Sequence, residues 1–491
     1  MEALQLLLTI GLAIILFLAI FRRSTRRRYA AAKKPSLVEI SDSAAARTVL
    51  IDHADAFSNR PLTLFPVALV TGRRRRRSDS ISSAQYGPLW RALRCNLTSE
   101  ALHPSRFDQL GPLQREFVAS LVATLSTRIA AGGAVVVRDD VHAAVFGVVA
   151  RLCFGELVVG NARHVLAMRR VMQGFVRAIG EANVFAGSWL AKLVHLRRWR
   201  RFLGYRGQQA EFFLPLVSER ERRRRSGCCN DGGIRPYVDT LIDLRVPEDD
   251  GDNDGDDDTG KLHVDARRRA LTDDELVSLL SEFLGASTES AVSCIEWALA
   301  HLATKPEVQI KLRREITGGG EHGEGAVCEE RLRGLPYLHA VVLESLRLHP
   351  PVPFLMRDVV HAEGVAVDGA ATVPAGGARV HFLIRDMARD GKDWTDPDEF
   401  RPERFLAGGE AEGVGAVPGP KEIRMMPFGA GRRYCPGAGM GMMHVKCFLA
   451  ALVREFKWAP AADSGGVDFT ELDGFFKVMK TPLRAHVKRS T

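Results

Sequence analysis

Apolar positions fall into two regimes along the chain. From Ala3 to Phe21 they run almost unbroken, interrupted only by Gln5, Thr9 and Gly11. Wound as a helix, that run would reach about 28 Å, close to the hydrocarbon thickness of a bilayer. Arg22, Arg23 and Arg26 to Arg28 follow at once, and Glu2 is the only charged side chain before it. A cleaved signal peptide would carry a basic start and a small-x-small cleavage site, and neither is present. Residues 1–21 are therefore expected to be an uncleaved membrane anchor and 22–35 a basic linker. The positive-inside rule then leaves the bulk of the chain on the cytosolic side.

From Ser36 onward the pattern predicts a mostly helical protein with a minor sheet. Apolar residues recur at helical spacing through Leu113–Ile129, Val141–Phe154 and Val165–Phe185, with Gly187 and Ser188 marking a break. Arg222 to Arg269 reads as a surface connection holding an acidic tract from Glu248 to Asp258. Asp250, Asp252, Asp254 and Gly255 mimic a calcium loop, but Lys261 stands where a bidentate Glu is required. A second regime opens at Leu271. Thr272 and Glu275 form a capping box, and no Pro occurs from there to Thr304, which predicts a helix of about nine turns. Its middle, Gly285-Ala286-Ser287-Thr288-Glu289-Ser290, is polar and small inside an apolar rod. Two readings stay open: a close helix crossing with a satisfied polar cluster, or a face against which something large lies.

Composition narrows the class. The 491 residues are 46% hydrophobic and 26% charged, which excludes collagen, coiled coil and wholesale disorder. The net charge of +9 is concentrated in runs such as Arg73–Arg77 and Arg222–Arg225, without interleaved aromatics, so no nucleic-acid partner is expected. The eight cysteines make no CxxC ladder, so neither a structural zinc site nor a disulfide framework is expected. Asn96-Leu97-Thr98 matches a glycosylation acceptor, but a cytosolic domain does not meet that machinery.

The most informative stretch is Pro427-Phe428-Gly429-Ala430-Gly431-Arg432-Arg433-Tyr434-Cys435-Pro436-Gly437. Its glycines and prolines predict a tight loop with inward amides, and a helix is expected from Ala438 to Val453. Loop amides and a helix start would lower the Cys435 pKa. Such a sulfur is either a nucleophile, which needs a His base, or an axial metal ligand.

Phe428, Gly431, Arg433, Cys435 and Gly437 meet every position of the haem-binding signature Phe-x-x-Gly-x-Arg-x-Cys-x-Gly, and the chain here resembles the cytochrome P450 family of the plant microsomal type. Three further matches follow the family's order: Trp90-Arg91-Ala92-Leu93-Arg94, Glu344-Ser345-Leu346-Arg347 and Pro402-Glu403-Arg404-Phe405, the last preceded by Trp394 and Asp396-Pro397. The resemblance implies a single haem-thiolate catalytic domain over 36–491 with haem b bound by Cys435 as axial iron ligand. It implies a buried triad of Glu344, Arg347 and Arg404, and propionate contacts from Trp90, Arg94, Arg433 and Arg357. Glu289 and Ser290 fall where the family keeps an acid and an alcohol for proton delivery. The implied activity is insertion of one atom of O2 into a hydrophobic small molecule, with NADPH electrons arriving through a membrane reductase at the endoplasmic reticulum. A haem-thiolate enzyme that rearranges or dehydrates peroxides, and a truncated non-catalytic haem binder, stand as alternatives.

Two departures from the family's pattern bear on this. Ser287 replaces the usual glycine of the long helix, and Ser290 the usual threonine. Between the anchor and Ser36 the family's proline-rich hinge, opening helix and first strands find no counterpart, as a misassembled gene sequence or a true truncation would leave it.

Overall fold

The computed structural model describes residues 36–61, 80–181, 189–228, 233–248, 267–318, 329–359, 366–368, 371–372, 378–419, 422–461 and 465–490. The expected anchor, the basic linker, Arg73–Arg77, the Gly187–Ser188 break and the core of the acidic tract lie outside these residues.

The principal helices are α1 (Pro88–Asn96), α2 (Phe107–Ala130), α3 (Arg138–Phe154), α4 (Ala162–Gly180), α5 (Leu196–Arg225), α6 (Tyr237–Asp243), α7 (Asp273–Thr304), α8 (Pro306–Thr317), α9 (Pro336–Leu348) and α10 (Ala438–Glu455). The strands are β1 (Ser36–Ile40), β2 (Val135–Val136), β3 (Arg245–Pro247), β4 (Arg268–Ala270), β5 (Phe354–Val359), β6 (Ala366–Asp368), β7 (Ala371–Thr372), β8 (Ala378–Leu383), β9 (Phe456–Pro460) and β10 (Arg484–Arg489). Helices dominate, and the sheets are small. In the first, β8 lies between β1, paired parallel, and β5, paired antiparallel. In the second, β10 pairs antiparallel with both β2 and β9.

The rod α7 begins where its capping box places it. Thr272 N donates to Glu275 Oε2 at 2.7 Å, and Glu275 N donates to Thr272 Oγ1 at 3.4 Å. At about 48 Å it crosses the whole domain and needs partners along its length. It finds α3 on one side and α10 and α9 on others. Helix α3 is apolar on nearly every face because it is enclosed. Among the described residues, Arg138–Val158 is the one helix long and apolar enough to cross a membrane, and most of it is buried inside the domain.

The connection expected over 222–269 is more structured than its composition suggested. Helix α5 runs on to Arg225, and Tyr237, Val238 and Leu241 of α6 enter the main core. Arg220 grips Asp239 with two bonds of 2.7 and 2.6 Å, and β3 pairs with β4 across the acidic tract. The apolar 237, 238, 241 spacing is one helical face, hidden by the charge around it. Asn96, the glycosylation decoy, exchanges amide bonds with Thr240 at 3.1 Å.

Two polar clusters lock the core. In the first, Glu344 receives Arg347 through Nε at 2.7 Å and Nη2 at 2.8 Å, and Arg404 through Nε at 3.2 Å. All three side chains are 0% exposed. One anion between two cations would leave a net buried charge. A second carboxylate, Glu410, which the sequence did not single out, pairs with Arg404 and makes the group neutral. Burial opposes ionisation of Glu410, but hydrogen bonds from Thr395 and Arg404 and the Arg404 charge more than offset it, holding the carboxyl at about 2. Remaining guanidinium donors meet Ala388 O, Pro397 O, Asp396 O and Glu399 O.

The second cluster is a chain of imidazoles. His301 and His349 face each other through Nε2 at 3.0 Å, His349 Nδ1 lies 3.3 Å from Glu471, and Arg385 reaches the same carboxylate at 2.9 Å. Trp297 stacks on His349 at 3.8 Å and Phe400 on His301 at 4.2 Å. Two facing nitrogens share one proton, so the neutral pair fits and a doubly protonated pair repels. Burial, His349 and the nearby cations hold His301 well below its ordinary value, and burial likewise lowers His349 against the pull of Glu471.

Two expectations follow from these clusters. Glu344→Ala leaves buried Arg347 without a carboxylate and Arg404 with Glu410 alone, and should cost about 3–5 kcal/mol in denaturant unfolding. Because both imidazoles protonate more readily unfolded than folded, their contribution is complete above about pH 6.5 and is lost as the pH falls below it. Unfolding free energies at a series of mildly acidic pH values should show that decline. His301→Gln, which keeps a donor to His349 but cannot titrate, should flatten it.

Candidate active site

The Cys435 loop is shaped by its own backbone. Gly429 N bonds Met426 O, and Cys435 N bonds Phe428 O, both at 2.8 Å. Gly431 has φ +69°, and a Cβ there would stand 2.2 Å from Leu50 O, so this position admits glycine alone. One 3-10 turn over Gly431–Arg433 follows, and α10 starts three residues after the cysteine. Phe428, Cys435 and Gly437 border a cavity of about 590 Å³, within the range of small-molecule and cofactor sites.

The facing wall is α7. Eleven of its residues between Ser278 and Cys294 line the cavity, among them Glu282, Phe283, Ser287 and Ser290. Both readings of its polar notch apply at once. Gly285 admits close approach of α4, where Met172 Cε would stand 3.4 Å from an added Cβ, while Ser287 and Ser290 open onto the cavity. The acid and the alcohol are separated. Ser290 donates to Ala286 O at 2.7 Å on the cavity wall, whereas Glu289 is not on that wall and pairs with His142 of α3 at 2.9 Å.

The thiol itself behaves differently from the sequence expectation. Burial raises the Cys435 pKa, and the Gly437 amide and the charges of Arg94 and Arg60 pull back only part of that. The amides act in the expected direction, but desolvation in the cavity wall outweighs them. Among the described residues, His444 is the histidine lining the cavity, and burial lowers it to about 4. Neither of its ring nitrogens has a hydrogen-bond partner among the described residues, so it is not engaged with Cys435, which argues against a cysteine–histidine nucleophile. A buried sulfur anion calls instead for a cation beside it.

At one edge of the cavity stand Arg60, Arg94, Arg357 and Arg433. Among the described residues none of the four has a carboxylate within ion-pair distance. Arg433 is committed to main-chain carbonyls: Nε to Ser58 O at 2.7 Å, Nη1 to Ile81 O at 3.1 Å and Nη2 to Ala84 O at 2.6 Å. It also lies over the Trp90 ring at 4.5 Å. Trp90 spends its single N–H on Ile81 O at 3.1 Å, so the donor assigned by resemblance to a propionate is engaged by protein here. Arg94 donates to Tyr434 O at 2.9 Å. Arg357 is 1% exposed and has a buried Nη2 without a partner among the described residues. Burial lowers Arg357 well below its ordinary value, with Arg60 and Arg433 adding to the effect. Burial and the neighbouring Arg60 and Arg94 bring Arg433 down to about 9.

Arg60 was missed in the sequence. Nothing around Asn59-Arg60-Pro61 marks it beyond the extended backbone that a following proline imposes. Its place is set by a tertiary bridge, Asp358 N to Asn59 O at 3.0 Å, which lays Arg60 beside Arg357 on β5.

A cysteine loop, a polar-notched helix opposite it and four arginines at one edge define a large-cofactor enzyme site. Comparison with known proteins gives its class. The family described as Cytochrome P450 matches residues 31–489. Cytochrome P450 89A9 of Arabidopsis thaliana is 34% identical over 92% of this chain and 84% of its own length. Trimethyltridecatetraene synthase of Zea mays is 32% identical, covering 91% of this chain and 79% of its own. The 3,9-dihydroxypterocarpan 6A-monooxygenase of Glycine max is 27% identical over 91% of this chain. A zebrafish cytochrome P450 solved with progesterone superposes with a TM-score of 0.70 over 94% of both chains at 21% identity, which speaks to the fold. The chain belongs to the cytochrome P450 family and is an oxidoreductase of the plant haem-thiolate monooxygenases.

The residues present suit the haem that this family carries. A porphyrin with two carboxylates would meet Arg357, which has a buried donor without a partner among the described residues, and Arg60, which has no carboxylate within ion-pair distance among them, and iron would supply the cation that a desolvated Cys435 requires. This yields an expectation of opposite signs. Arg357→Ala should leave the haem-free protein as stable as the parent or more so, since it removes a buried cation with an unpaired donor. The same change should speed haem loss. Thermal unfolding of the apoprotein and haem-transfer kinetics of the loaded protein check the two halves.

Proposed function

We propose that this chain is a membrane-anchored monooxygenase that inserts one oxygen atom of O2 into a hydrophobic small molecule. Electrons come from NADPH through a membrane reductase. Residues 1–21 hold it in the endoplasmic reticulum membrane as a single span, with residues 36–491 in the cytosol. The observation that carries the reading is Cys435 on the wall of a cavity faced by α7, with four arginines at its edge that have no carboxylate within ion-pair distance among the described residues. Cys435 would hold the haem, which when bound would supply an electron-rich iron for dioxygen activation.

The remaining roles belong to side chains. Cys435 holds the metal, and Phe428, Gly431 and Gly437 shape the loop that presents it. Arg357, Arg94 and Arg433, with Arg60, hold the carboxylate edge. Ser290 keeps a hydroxyl proton at Oγ on the cavity wall, where a proton is needed close to the reacting oxygen. Glu289, one residue before Ser290 on the helix, is hydrogen-bonded to His142 of α3 at 2.9 Å. Phe175, Phe283, Phe475 and Phe476 line the space left for substrate. Relatives named for a pterocarpan and for a trimethyltridecatetraene, both apolar skeletons, support the hydrophobic class.

One observation favours a second reading. With Glu289 held on His142 and off the cavity wall, chemistry that needs no delivered protons, such as rearrangement of a hydroperoxide, gains ground.

A single set of measurements separates them. The reduced, carbon-monoxide-treated full chain in lipid should show the red-shifted Soret band of a thiolate-bound haem, and Cys435→Ser should abolish it. With a reductase present, an apolar substrate should accelerate NADPH consumption. Product from a hydroperoxide without NADPH would move the assignment to the second reading. A folded sample without the band would remove both.

A further inference from the structure

One short loop, Ser80–Ala84, is held from three directions. Its amides go to α7. Ile81 N donates to Glu282 Oε2 at 2.8 Å and Ser82 N to Glu282 Oε1 at 2.7 Å, and the Ser82 hydroxyl donates to Oε1 as well. Its carbonyls go to the cofactor edge. Ile81 O accepts from Trp90 Nε1 and Arg433 Nη1, both at 3.1 Å, Ser82 O accepts from Arg60 Nη1 at 3.1 Å, and Ala84 O accepts from Arg433 Nη2 at 2.6 Å. The loop also closes on itself, with Ala84 N to Ser80 O at 2.8 Å and the Ser80 and Ser83 hydroxyls 2.6 Å apart.

The Ile81 and Ser82 residues are thus polarised from both ends. Each gives its N–H to an anion and offers its C=O to cationic or polar donors. Bonds in such a chain strengthen one another, and a buried peptide group deprived of either end loses more than one bond. Glu282 is the one anion among these partners. Burial raises its carboxyl, and the Ser82 hydroxyl, the two amides and the Arg60 charge draw it back.

We propose that Glu282 is a positioning residue for the cofactor: by fixing Ile81 and Ser82 it sets where Trp90, Arg433 and Arg60 stand at the cavity edge. The inference rests on the haem-thiolate reading and extends it, since it makes a residue of the substrate-facing helix part of the cofactor's support. Two walls of the cavity are then mechanically one. A displacement of α7 at Glu282 is passed through three hydrogen bonds and one loop to the arginines at the cavity edge.

The test uses the haem-loaded full chain. Glu282→Gln keeps the shape but turns one oxygen into a donor facing a donor. Ser82→Ala removes the hydroxyl arm alone. A stability control is Val145→Ala, in the enclosed part of α3. Three quantities are read: transfer of haem to excess apomyoglobin, hydrogen exchange at the Ile81 and Ser82 amides, and the carbon monoxide band. For Glu282→Gln, haem transfer should quicken about tenfold, as one lost charge-assisted bond implies, with faster exchange at both amides and the thiolate band in its wild-type position. Ser82→Ala should fall between parent and Glu282→Gln, and it carries the test if the Gln variant does not fold. Haem transfer at the parent rate would overturn the proposal, as would acceleration no greater than in Val145→Ala at equal loss of unfolding midpoint. A parent protein lacking the thiolate band would instead overturn the haem-thiolate reading.

Discussion

Buried positive charge organises this protein. Arg347 and Arg404 lie fully enclosed and are neutralised by Glu344 and Glu410, with nearby carbonyls taking further donors. Arg357 is as deeply buried, yet it has Arg60 and Arg433 for neighbours and no carboxylate within reach among the described residues. Desolvating a guanidinium is costly unless its charge and its donors are both met. The first group meets that condition with protein atoms and forms a closed structural lock. The second has no carboxylate within ion-pair distance among the described residues, and it borders the same cavity as Cys435.

The two groups are linked through the chain. Helix α9 carries Glu344 and Arg347, and the strand that follows it carries Arg357. Fixing α9 by the lock therefore fixes where β5 begins. The bridge from Asn59 to Asp358 then ties Arg60 to that strand, and Arg433 ties the cysteine loop to Ser58, Ile81 and Ala84. Segments more than three hundred residues apart converge on one edge of the cavity through main-chain carbonyls, which are indifferent to side-chain identity. That explains why Arg60 joins the edge without a local signature of its own.

Helix α7 does two jobs with one pattern. Its apolar sides bury against α3 and α10, and its polar notch falls where the cavity opens. Helical geometry assigns consecutive residues to different faces, so Ser290 looks into the cavity while Glu289 meets His142. A neighbouring pair in sequence is thereby split into a hydroxyl on the cavity wall and a carboxylate paired with α3. Glu282, two turns earlier, shares the cavity face and reaches across to the Ser80–Ala84 loop.

Local chemistry was legible in the amino-acid order. The glycines and prolines around Cys435, the capping box at Thr272 and Glu275, and the apolar spacing of α2 and α3 each act over a few residues, so they announce a loop, a helix start or a buried face without knowledge of the rest. Charge-rich surroundings hid α6, because its three apolar residues are outnumbered by the surface they anchor. Tertiary structure alone decided the rest: that Glu410 completes the lock, that Arg60 joins Arg357, that the Trp90 indole serves Ile81, and that the Cys435 thiol is raised. Each depends on a partner or a depth of burial supplied by distant segments. Short-range geometry is written in neighbouring residues, whereas desolvation and long-range pairing exist only once the chain has closed around them.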